Sequence, residues 1–260
     1  MLIRTISAII GGGLLLGFTY LGGAYVLVLA FVISLVGLHE YMRILSFLGQ
    51  RSWYVTDMLA AAIWLGGTFA VGDRFLAVGL VIWFFAAAGR LALFYPRVSF
   101  SEVVHNFLGV IYTAGLFSYF LLLRARPSGL KWTFTVFFLV WAVDTGAYLI
   151  GKGFGKHRLA PEISPNKTLE GAIGGLALTM VVAWSLGYWL LGGSSLLLLL
   201  LGLVVGASAQ AGDLFESALK RAAGVKDSGR LIPGHGGMLD RFDSFVFALP
   251  LVYYFVSFLQ

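Results

Sequence analysis

Residues 194–221 read SSLLLLLLGLVVGASAQAGDLFESALKR. The hydrocarbon core of a bilayer is about 30 Å thick and takes roughly 20 helical residues to cross. The run from 194 to 219 has that length, and its first charge is Asp213. It is predicted as a membrane helix that carries an acid and stops at Lys220 and Arg221. The same template, moved outward along the chain, finds eight more runs: 5–20, 23–46, 53–71, 74–95, 102–123, 130–151, 168–191 and 240–258. The expected fold is therefore all-α, a polytopic integral membrane protein with about nine transmembrane helices.

Composition agrees. Of 260 residues, 59% are hydrophobic and 12% charged, and the mean hydropathy of +0.91 is more than a water-soluble domain carries. The chain has no cysteine, which excludes a disulfide framework, a thiolate nucleophile and Cys-ligated metal sites. The basic-then-apolar start lacks a small-residue cleavage site, so it reads as a first span and not as a signal peptide. The net charge of +6 has no basic domain to present it to a duplex, so nucleic acid is not an expected partner.

The basic residues sort by side. With nine spans and a cytoplasmic N-terminus, fourteen of the eighteen Lys and Arg fall on one face of the membrane. The positive-inside rule then places the N-terminus in the cytoplasm and the C-terminus outside. The longest inward connections are 151–167 and 220–240. Long loops carry function, so the site is expected on the cytoplasmic side of the plasma (inner) membrane. Residues 1–125 form spans one to five, and residues 126–260 form spans six to nine with both long loops, the region expected to carry the chemistry.

A buried acid costs about 2.5–3.5 kcal/mol on insertion scales and needs a reason. Asp144 lies in the sixth span and Asp213 in the eighth, while Asp240 and Asp243 open the ninth. Asp213, Ser217 and Lys220 share one helix face, as do Asp240, Asp243 and Ser244. Three carboxylates converging from two helices repel strongly unless a cation or a shared proton sits among them. An all-oxygen set at Asp213, Asp240 and Asp243 suits Mg²⁺, which keeps waters and phosphates as its other ligands.

In the loop, Gly234, Gly236 and Gly237 bracket His235 beside Lys220, Arg221, Lys226 and Arg230, a pattern that lets backbone and cations approach phosphate. The other inward loop ends in Ser164, Asn166, Lys167 and Thr168, with Glu170 in the next turn. Ser or Asn there is expected to cap the seventh helix near an anion-attracting terminus. The near-Walker string GAYLIGKG at 146–153 lacks the magnesium-binding Ser or Thr and any preceding strand, so it is not read as a P-loop. The pairs Gly171/Gly175 and Gly202/Gly206 are expected to pack helices within the monomer.

The stretch SALKRAAGVKDSGRLIPGHGGMLDRFD, 217–243, resembles the signature of the phosphatidate cytidylyltransferase family. Its fixed positions include Lys226, Asp227, His235, Asp240, Arg241 and Asp243. The SPNKTLEG, DTGAY and AGDLFES segments are similar to the family as well, so the likeness covers the second half of the chain. The resemblance implies a nine-helix membrane fold, often a homodimer, and transfer of a cytidylyl group from CTP to phosphatidic acid. It also implies a divalent cation at Asp213, Asp240 and Asp243, and a second cation such as K⁺. Lys220, Arg221 and Arg241 are expected at one phosphate, and Lys167, Ser164 and Thr168 at the other. Asn166, Ser217, Lys226 and His235 are expected to contact substrate, with Asp144 and Glu170 orienting it. Two alternatives stay open: a CTP-dependent kinase or cytidylyltransferase for another lipid such as a polyprenol, phytol or archaeal ether lipid, and a secondary transporter.

Overall fold

The computed structural model describes residues 2–192, 196–234 and 236–259. The order is α1 (Leu2–Leu21), α2 (Gly23–Phe47), α3 (Tyr54–Val71), α4 (Arg74–Phe94), α5 (Phe100–Val110), a π turn (Ile111–Gly115), α6 (Ser118–Ala125), α7 (Gly129–Phe154), β1 (Arg158–Ala160), β2 (Ser164–Thr168), α8 (Leu169–Ser185), α9 (Gly187–Leu191), α10 (Leu196–Ala222) and α11 (Leu239–Leu259). Among the described residues, eight helices or helix pairs are long and apolar enough to span a bilayer, and α1 adds a shorter apolar helix over Thr5–Leu21. This is the expected polytopic all-α architecture, with one addition. Residues 158–168, read as an irregular loop, form an antiparallel hairpin.

The chain divides into two compact units, 1–125 with 222–241, and 126–221 with 242–260. The loop after α10 belongs to the same compact unit as the N-terminal helices.

In the first unit, α5 continues through the π turn into α6 as a single span, Phe100–Ala125. Ser99 starts it by accepting a hydrogen bond from the Glu102 backbone N–H at 3.1 Å, a Ser-x-x-Glu arrangement that satisfies an otherwise orphaned donor. Gly109 sits against the Tyr41 ring with no room for a side chain. Val81, Ile82, Phe84 and Phe85 of α4 are exposed, as a lipid-facing surface requires.

In the second unit, α7 and α8 meet backbone to backbone. A Cβ on Gly146 would lie 2.7 Å from the Gly174 carbonyl, and one on Gly171 would lie 2.8 Å from that of Ala147. Gly202 approaches Met180 and Thr179 of α8, and Gly206 approaches Leu176 and Thr179. Both GxxxG pairs therefore serve packing inside the chain, as expected. Gly212 of α10 lies against the Asp243 carbonyl and Phe247 of α11, and Ser208 Oγ donates to the Phe247 carbonyl at 3.0 Å.

Candidate active site

The second unit encloses a cavity of about 450 Å³ between α7, β2, α8 and α10, and Asp144, Asn166, Lys167, Thr168 and Asp213 all line it. Five residues singled out from the sequence thus share one space. Lys167 Nζ pairs with Asp213 Oδ2 at 2.5 Å, and Ser217 Oγ donates to Asp213 Oδ1 at 3.3 Å. Tyr148, Lys152 and Gln210 also line the cavity; sequence reasoning missed them. Gln210 Nε2 donates to the Ala172 carbonyl at 3.1 Å, which ties α10 to α8 at the wall.

Asp243 stands within electrostatic reach of Asp213, Asp144 and Lys220. Two carboxylates on adjoining helices repel unless a positive charge is shared between them. Lys167 answers the charge of Asp213, and Lys220 stands near Asp243.

Several expected roles change. Thr168 is the helix cap: its Oγ1 accepts from the Gly171 N–H at 3.1 Å. Ser164 and Asn166 lie in β2 instead, because the cap position falls after the strand. Lys220 pairs with Glu216 one turn earlier on α10. Glu216 is fully buried, so the Lys220 ammonium balances the charge of a protein acid. Arg221 Nε donates to the Ile163 carbonyl at 3.1 Å, which anchors the hairpin. Glu170 accepts from His157 Nδ1 at 2.6 Å and from the Lys156 backbone N–H at 3.0 Å, fastening the turn after α7. Lys226 and Arg241 are exposed. His235 lies outside the described residues.

Asp240 makes its contacts within the loop that precedes α11. Its Oδ2 accepts from the Gly237 N–H at 2.8 Å and from the Ser228 N–H at 3.0 Å, and lies 3.0 Å from Ser228 Oγ, whose one hydroxyl proton it shares with Glu40. Among the described residues, no three acidic or imidazole side chains gather as a metal-ion set. The carboxylate of Asp240 instead shapes the glycine loop, where Gly234 and Gly236 adopt φ of 80° and 83°, as expected of a backbone that only glycine tolerates well.

Glu40 on α2 does the same from the other side. It is buried; its Oε1 accepts from the Met238 N–H at 2.9 Å, and its Oε2 from the Leu239 N–H at 2.9 Å and Ser228 Oγ at 3.0 Å. Ser7 Oγ of α1 donates to the Pro233 carbonyl at 3.0 Å. Two helices of the first unit, α1 and α2, therefore hold the signature loop. The signal for Glu40 was an acid inside an apolar span, the same signal that marked Asp144.

Helices long and apolar enough to cross a bilayer, with Asp144, Lys167 and Asp213 lining one cavity among them, mark a membrane protein with charged groups set into its spans. The chain belongs to the cytidylyltransferase family, whose sequence profile it matches over residues 2–259. It is 38% identical to the phosphatidate cytidylyltransferase of Staphylococcus epidermidis over 97% of both chains. It is 37% identical to that of Staphylococcus haemolyticus and 38% identical to that of Staphylococcus aureus, with the same coverage.

Proposed function

We propose that this chain is a phosphatidate cytidylyltransferase, converting CTP and phosphatidic acid to CDP-diacylglycerol and pyrophosphate. The observation that carries the reading is the convergence of Asp144, Lys167 and Asp213 on one cavity, in a chain whose full-length relatives bear that name. A phosphate oxygen of phosphatidic acid attacks the α-phosphorus of CTP. The bond to the β-phosphate breaks, and its electron pair leaves with pyrophosphate. The nucleophile is anionic near neutral pH, so the protein's work is to position two anions and stabilise charge at the transferring phosphorus.

Lys167 meets a phosphate at the cavity wall, and Asp144 orients the substrate. Asp213 and Asp243, hard oxygen donors already within each other's field, are the residues that would hold Mg²⁺. Mg²⁺ there supplies charge neutralisation on the triphosphate. Asp240 orders the loop in this reading. The site faces the cytoplasm, where CTP is made, in agreement with the positive-inside distribution, and the working form is a homodimer.

Purified protein supplied with phosphatidic acid, Mg²⁺ and CTP labelled at the α position should pass label to lipid. CTP labelled at the γ position should pass none. Label arriving from the γ position would instead identify a kinase.

A further inference from the structure

The first unit holds a second polar cavity, of about 340 Å³, at the end of the helices where α2 turns into α3 and α4 turns into α5. It is lined by Arg51, Arg90 and Arg97 together with Trp53, Phe94 and Glu102. Nothing in the proposed reaction uses it. The site is built rather than loose. The Trp53 indole N–H donates to Glu102 Oε1 at 2.6 Å. Asn106 accepts from the Trp53 backbone N–H at 3.0 Å and donates to the Arg51 carbonyl at 2.9 Å. The Arg90 guanidinium stacks 3.9 Å above the Trp53 ring. Beneath lies an apolar cluster of Trp53, Ala87, Val98 and Val103.

The charges do not balance. Three guanidiniums line the cavity against one carboxylate, Glu102, which is already engaged by the indole. Asp57 is buried and interacts with Arg90 electrostatically. Even with both acids counted, positive charge is in excess. Among the described residues, none of the three arginines has a carboxylate within ion-pair distance, and the buried Nε of Arg90 has no hydrogen-bond partner. Converging guanidiniums with open donors call for an anion, and Arg forks match phosphate oxygens. Phe94 adds an exposed apolar ring to the lining, and these helix ends lie where span lengths put the bilayer's headgroup layer. A phosphate that brings acyl chains with it satisfies both the guanidiniums and the ring.

We propose that this cavity binds the phosphate of an anionic phospholipid headgroup, separately from the cavity lined by Asp213. The test uses R51Q/R97Q, two exposed positions whose loss leaves the Arg90–Trp53 stack in place, with R90Q as an independent second variant. Detergent-purified proteins are titrated with phosphatidylglycerol, a phosphodiester the proposed reaction does not consume, and bound lipid is counted by native mass spectrometry. Circular dichroism melting confirms the fold of each variant. The wild-type chain should retain one phosphatidylglycerol more than R51Q/R97Q, with affinity at least tenfold higher, and should show no such increment with phosphatidylcholine. Equal lipid counts in folded wild-type and variant proteins would overturn the site. Saturation by inorganic phosphate alone, at concentrations where the lipid has no advantage, would overturn its assignment to a lipid.

Discussion

Glu40 accepts three hydrogen bonds from the signature loop, two of them from backbone N–H groups. Bonds to a charged acceptor contribute about 1.5–3 kcal/mol each, and a buried donor left unmatched costs a similar amount. Glu40→Gln should therefore loosen residues 228–239, raising amide exchange there roughly 10- to 150-fold and lowering turnover, while the rest of the chain keeps its protection. Unchanged exchange would remove Glu40 from the loop. Asp213→Asn keeps the shape and removes a charge that faces Lys167. Turnover should fall about 100- to 1,000-fold in protein that still purifies as a folded species, and near wild-type rates would remove Asp213 from the chemistry. Residue reading of the sequence goes furthest where an acid interrupts an apolar run, as at Asp144, Asp213 and Asp243. Glu40 and Asp57 meet the same criterion but lie far from the recognisable motif, so nothing nearby in the sequence draws attention to them. The hydrogen bonds of Asp240 to its own loop were not legible. Spacing along α11 suggests a ligand, whereas folding turned its Oδ2 toward Gly237 and Ser228.

At the scale of elements, the α7–α8 pair depends on glycines that let two backbones touch. Gly146→Ala places a Cβ 2.7 Å from the Gly174 carbonyl and 3.0 Å from the Gly175 Cα, backbone atoms that have little freedom to retreat. We expect a loss of about 1–3 kcal/mol, read as a lower melting temperature in detergent. Gly153→Ala on the same helix has nothing within 4 Å and should leave melting unchanged. Hydropathy and length sufficed to find the spans, since a bilayer admits few alternatives for an apolar run. The hairpin over 158–168 was not legible, because SPNKT reads equally well as a helix cap and its pairing depends on a partner strand only three residues long.

For the whole molecule, the proposed orientation is open to direct measurement, because the absence of native cysteine leaves no background thiol. Asp73→Cys should react with a membrane-impermeant maleimide in intact cells, and Glu162→Cys only after permeabilisation. The reverse pattern would invert the topology. Removing divalent cations with a chelator should abolish cytidylyl transfer, and Mg²⁺ should restore it; persistence of activity would exclude the cation from the reaction.

The clamp between Glu40 and Ser228 joins positions 188 residues apart, which sets an order on biogenesis. As the chain leaves the ribosome, α2 enters the bilayer long before the glycine loop is translated, and N-terminal segments fold first. The first-made helices are thus a mould waiting for the last-made loop. A nascent chain stalled before residue 228 would carry Glu40 with none of its three donors.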